Sequence, residues 1–154
     1  MFKKILVPLH VEYLDNHEKL FQNALHLLDK EKGTLTLLYV NENRSHGSVY
    51  PILDEENEKH YNHNILLELK KIATNHALPE DKISFKIRDG SAHSEIMEEA
   101  QDIDADVIVM MATKPGIKSY FISSTSERVI RHAICSVFVV RKDKIEPTKH
   151  HIIT

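Results

Sequence analysis

The sequence predicts an α/β fold: a single open, five-stranded parallel sheet with helices on both faces. Two observations carry this. Short apolar runs alternate with stretches of helical periodicity, and no hairpin signal joins consecutive runs, the pattern of βαβ units. Several runs are also continuously apolar rather than alternating, as expected of strands covered by helices on both sides.

The elements follow in chain order. Ile5 to Leu9 is a short apolar run and the first strand. Tyr13 to Lys32 carries Leu20, Phe21, Ala24, Leu25 and Leu28 at helical spacing, with Gly33 as its stop. Thr34 to Val40 is the second strand, and the Asn, Ser and Gly content of 41–51 marks a loop. Ile52 to Ala77 reads as a long helix with an apolar stripe through Ile65, Leu66, Leu69, Ile72 and Ala73, acidic at its start and ended before Pro79. Ile83 to Ile87 alternates apolar with polar residues, so this third strand belongs near a sheet edge. Asp89-Gly90-Ser91 is a turn and cap, and Ile96, Met97, Ala100 and Ile103 mark a short helix.

The most informative stretch runs from Asp104 to Arg141. Val107 to Met111 is a buried strand, Pro115 and Gly116 lie in a polar loop, and Ser124-Thr125-Ser126-Glu127 has the capping-box pattern. Val129, Ile130, Ala133 and Ile134 follow at helical spacing, and Val137 to Val140 closes the unit as a strand. A loop that leaves the carboxyl end of a strand and enters a helix amino terminus favours an anion, through free N–H groups and the helix dipole.

Composition narrows the function classes. A chain of 154 residues suits one domain. Net charge of −3 gives no support for a nucleic-acid partner. No apolar run approaches the roughly 20 residues of a membrane span, and the apolar stretch after Lys3-Lys4 is too short for a signal peptide. The single Cys135 excludes an internal disulfide, fits a reducing compartment and suits a buried apolar role. These features imply a cytoplasmic protein without membrane insertion.

Three separated motifs resemble the universal stress protein family. Lys4-Ile5-Leu6-Val7-Pro8-Leu9-His10 resembles the family's first strand and Leu37-Leu38-Tyr39-Val40 its second. Arg131-His132-Ala133-Ile134-Cys135-Ser136-Val137-Phe138-Val139-Val140-Arg141 resembles its closing helix and strand. The resemblance covers residues 1–141 as one domain and leaves 142–154 as a loose tail. It implies a Rossmann-like sheet of order 3-2-1-4-5, a ligand crevice between the first and fourth strands, and roles in stress response through nucleotide occupancy or partner docking. It also implies a homodimer paired through strand 137–140.

The implied cofactor is ATP or a related adenine nucleotide. The residues expected to line its site are Pro8, Leu9, His10, Val40, Met110, Met111, Lys114, Ser123, Ser124, Thr125 and Ser126. The family's loop has the form G-x2-G-x9-G-[S/T]. Here Met111, Lys114 and Ser123 stand at the three glycine positions, the loop is one residue shorter, and His10 replaces an aspartate. Ser123 would be strained if that position needs a positive φ. Two readings stay open: a phosphate held by the hydroxyls and the helix amino terminus, or a chain without nucleotide acting through protein partners. No catalytic residue and no metal ligand set is assigned. His60 and His63 share a helix face without a completing ligand, and slow ATP hydrolysis or autophosphorylation has no identifiable base.

Overall fold

The computed structural model describes residues 1–9, 17–42, 55–112 and 122–141. The strands are β1 (Lys4–Leu9), β2 (Thr34–Asn41), β3 (Ile83–Asp89), β4 (Val107–Met111) and β5 (Ser136–Val140). The helices are α1 (His17–Leu27), α2 (Glu55–Asn75), α3 (Ala92–Asp102) and α4 (Ser124–His132). The five strands are all parallel, in the order β3-β2-β1-β4-β5. The alternating strand predicted at an edge is β3, which is half exposed, and β5 forms the other edge. The expected tail, 142–154, lies outside the described residues.

Alternation along the central strands feeds two cores. Ile5 and Val7 of β1 pack with Phe21 of α1 and Leu69 of α2 on one face. Leu6 of the same strand packs with Ile108, Ile96 of α3 and Val129 of α4 on the other. Ile5, Leu6 and Val7 have no exposed surface, so β1 is apolar at every one of these positions.

α1 is shorter than its apolar spacing predicts. It ends at Leu27, because Leu28 leaves the helix to bridge Phe2. Phe2 N–H donates to the Leu27 carbonyl at 2.8 Å and the Phe2 carbonyl accepts from Asp29 N–H at 2.8 Å. Gly33 is therefore not the helix stop. It closes the following turn, where a side chain would collide with the Asp29 carbonyl and Leu28.

α2 ends in a Schellman motif. Leu78 N–H reaches the Ala73 carbonyl and Ala77 N–H the Thr74 carbonyl, both at 3.0 Å, with Ala77 at φ 52°. A left-handed conformation costs an L-residue roughly 1–2 kcal/mol that glycine does not spend. Ala77→Gly is expected to stabilise the protein by about 1 kcal/mol, after the added freedom of the unfolded chain is counted. Urea denaturation of the two proteins checks this, and a lower midpoint for the glycine variant would refute it.

A feature the sequence reading missed joins β3 to α3. Glu95, Glu98, Glu99 and Asp102 recur at helical spacing on one face of α3 and converge on Arg88 of β3. Arg88 Nε donates to Glu99 at 3.0 Å, Nη1 to Glu95 at 3.0 Å, and Nη2 to Asp102. Burial alone pulls the guanidinium pKa down, but the bonds to Glu95, Glu99 and Asp102 outweigh it and hold the pKa above its ordinary value. Gly90, at φ 144°, makes the turn, and a Cβ there would meet Glu95 Oε1 at 2.7 Å. The side chain of Glu99 is only 4% exposed, so removing its partner strands a buried charge. Arg88→Met is expected to cost about 3 kcal/mol of unfolding free energy in urea. A loss below about 1 kcal/mol would show that the cluster behaves as exposed surface pairs do.

Candidate functional site

The crevice begins with a broken ladder. At the amino end of the strands β1 and β4 are tightly joined: Asp106 N–H donates to the Lys4 carbonyl at 2.8 Å. The Asp106 carboxylate also accepts from the N–H groups of Lys3 at 3.1 Å and Lys4 at 2.9 Å. Pairing of the two strands then covers only Ile5 with Val107 and Leu6 with Ile108. Their outer neighbours stay paired farther, β1 with β2 to Leu9 and β4 with β5 to Met111. The hydrogen-bond ladder between β1 and β4 thus stops short of their carboxyl ends.

Proline explains where the ladder stops. The Lys3 carbonyl accepts from Thr34 of β2 and the Lys4 carbonyl from Asp106 of β4. Alternation along β1 therefore aims residues 4, 6 and 8 at β4. At residue 8 the chain has proline, which has no N–H to donate. The break falls where the doubly wound order reverses, the place at which open α/β sheets take ligands.

α4 begins beside the carboxyl end of β4 and is fixed by two serines. Ser123, not Ser124, is the N-cap, so the helix starts one residue earlier within the hydroxyl run than the capping-box pattern implies. The Ser123 Oγ accepts from Ser126 N–H at 3.1 Å. Glu127, expected to complete the box, instead pairs with Arg131 one turn on, at 2.9 Å. Ser126 is buried, and its Oγ donates to the Met111 carbonyl at 2.9 Å and accepts from Ser123 Oγ at 3.0 Å. Ser123 N–H donates to the Ala112 carbonyl at 2.8 Å, and Ala112 N–H to that of Val140 at 2.8 Å. The helix amino terminus is thereby bonded to the end of the β4–β5 pair.

These bonds sort the expected site residues. Ser123 has φ −64°, an ordinary extended conformation, so no strain arises from the missing glycine. The hydroxyls of Ser123 and Ser126 are engaged within the protein. Ser124 is exposed and Thr125 half-buried, and the N–H groups of these first two helical residues have no intrahelical partner. Pro8, Leu9, Val40, Met110 and Met111 all stand at strand carboxyl ends, but Leu9 and Met110 are buried in the cores, and Met111 and Val40 pack against them. What these positions offer a ligand is chiefly backbone. His10 and Lys114 lie outside the described residues. The role of Pro8 as ladder breaker was legible in the sequence only once its pairing side was known.

Other chemistry expected from the sequence is quickly placed. Burial pushes the Cys135 thiol pKa up, which disfavours the nucleophilic thiolate. His60 and His63 are exposed on α2. Among the described residues, no three His, Cys, Asp or Glu side chains are grouped to hold a metal ion, and no helix is long and apolar enough to cross a membrane.

Comparison with known proteins adds to this geometry. The sequence profile of the Universal stress protein family matches residues 1–141. A universal stress protein of Methanothermobacter thermautotrophicus is 30% identical over 149 residues, covering 92% of this chain and 97% of that protein. Among solved structures, the hypothetical protein MJ0577 superposes with a TM-score of 0.70 at 27% identity, covering 94% of this chain and 99% of that one. A universal stress protein solved in complex with cAMP superposes with a TM-score of 0.62, over 91% of this chain and 97% of that one. At 14% identity, this last likeness is one of fold.

Proposed function

This chain belongs to the universal stress protein family, and we propose that it is a cytoplasmic adenine-nucleotide-binding module of the stress response. The observation that carries the reading is the amino end of α4 bonded to the carboxyl end of β4, beside the switch point where the β1–β4 ladder stops. Two unpaired N–H groups, the Ser124 and Thr125 hydroxyls and the helix dipole suit a phosphate there. The base and ribose then lie toward the carboxyl ends of β1 and β2, at Pro8, Leu9 and Val40. A universal stress protein of the same fold in complex with cAMP supports an adenine nucleotide as the ligand class. The lost glycines matter less than their number implies, since Ser123 needs no positive φ.

Calorimetric titration of the purified chain with ATP-Mg, ADP and cAMP tests this. Saturable binding of at least one is expected. Ser124→Ala and Thr125→Ala should each weaken it about tenfold or more, since a hydrogen bond to a charged group contributes about 1.5 kcal/mol or more. Ser126→Ala should lower stability, because it leaves the Met111 carbonyl without its donor. Absence of saturable binding at millimolar nucleotide would overturn the reading in favour of a module that acts through protein partners.

The second part of the proposal is a homodimer through β5. This strand is an edge of the sheet, Phe138 on it is 38% exposed, and Ile134 before it is 74% exposed. An apolar edge strand is a template for pairing, and a second copy meeting it about a two-fold axis would cover it on both sides. Phe138→Asp is expected to give monomer or insoluble protein by light scattering. A soluble dimer of that variant would place the interface elsewhere.

A further inference from the structure

A second cleft lies at the opposite end of the sheet from the nucleotide crevice. It occupies about 620 Å3 between the last turns of α2 and the first residues of the edge strand β3. That volume falls within the range of about 300–1,000 Å3 typical of small-molecule sites. Ile83, at the start of β3, pairs with Leu35 near the start of β2, which places the cleft at the amino end of the strands. No residue of the candidate nucleotide site lines it.

Its lining divides by chemistry. Ala73 and Leu78 are buried and Ile83 and Phe85 half-buried, forming an apolar floor. Lys70 from α2 and Glu80 from the turn before β3 supply one charge of each sign. Both are exposed, and among the described residues neither is in an ion pair. The sign at the Glu80 end is reinforced by the carboxyl terminus of α2, whose last turn carries no basic residue. Ala77 also lines the cleft, presenting a methyl group from a backbone conformation that favours glycine.

We propose that this cleft binds a small apolar zwitterion whose two charges stand at opposite ends, the chemistry of a free apolar dipeptide. Opposite charges from two chain segments suit a ligand that itself carries both signs. An extended dipeptide holds its ammonium and carboxylate about 7 Å apart, whereas a single amino acid carries both on one carbon. The ammonium sits at Glu80 and the end of α2, the carboxylate at Lys70, and the side chains lie over Phe85, Ile83 and Leu78.

The probe is L-leucyl-L-phenylalanine, added to the full chain and followed by amide chemical shifts. Saturable shifts are expected at Thr74, Ala77, Leu78 and Phe85, with Ser124 and Thr125 unmoved. Lys70→Glu and Glu80→Lys should each weaken binding about tenfold, the loss of one charge-assisted contact. The two together should recover much of it, because a zwitterion can reverse its direction. Thr74→Trp, at an exposed helix position, should block binding while the fold stays intact by circular dichroism. The same peptide with both ends capped should bind at least tenfold more weakly. No saturable shift at 10 millimolar probe would overturn the proposal, as would equal binding of the capped peptide, indifference to the charge swaps, or shifts confined to the nucleotide crevice.

Discussion

The pairing of β1 with β4 sets the layout of the whole chain. These two central strands are clamped at their amino ends by Asp106, which accepts from Lys3 and Lys4 and donates to the Lys4 carbonyl. Their ladder ends at Leu6 and Ile108, while β1 stays paired with β2 to Leu9 and β4 with β5 to Met111. The ladder ends at the position where the winding reverses, the place at which open α/β sheets take ligands.

The amino end of α4 depends on this layout. Its cap bonds to backbone at the ends of β4 and β5, through Ser126 to Met111 and Ser123 to Ala112. Because two of the four hydroxyl residues are spent in holding the helix, the other two are presented in a fixed place. Hydroxyls that look equivalent in sequence thus divide into two structural members, Ser123 and Ser126, whose hydroxyls are bonded within the protein, and two that are left to a ligand.

The opposite edge of the sheet has a different anchor. α3 is held to the edge strand β3 by one guanidinium shared among four carboxylates, with Gly90 allowing Glu95 to close in. Few apolar side chains are available at this edge, where β3 alternates and is half exposed. Charge-assisted bonds, partly shielded from water, do there what apolar burial does along β1.

The sequence by itself determined the parallel α/β class, the existence of the five strands and four α-helices described, the edge position of β3 and the family. These depend on local periodicity, which is a property of consecutive residues. It also marked the β4–α4 loop as the place for an anion, since helix caps and strand ends are local too. Tertiary structure alone decided the early end of α1, where Leu28 is taken by Phe2, and the choice of Ser123 as cap. It likewise decided that Arg88 would gather the acidic face of α3 and that Pro8 would face β4. Each of these turns on a partner distant in the chain or on the side to which a residue points. A residue's type states which bonds it can make; only the packed fold states which neighbour is within 3 Å to make them.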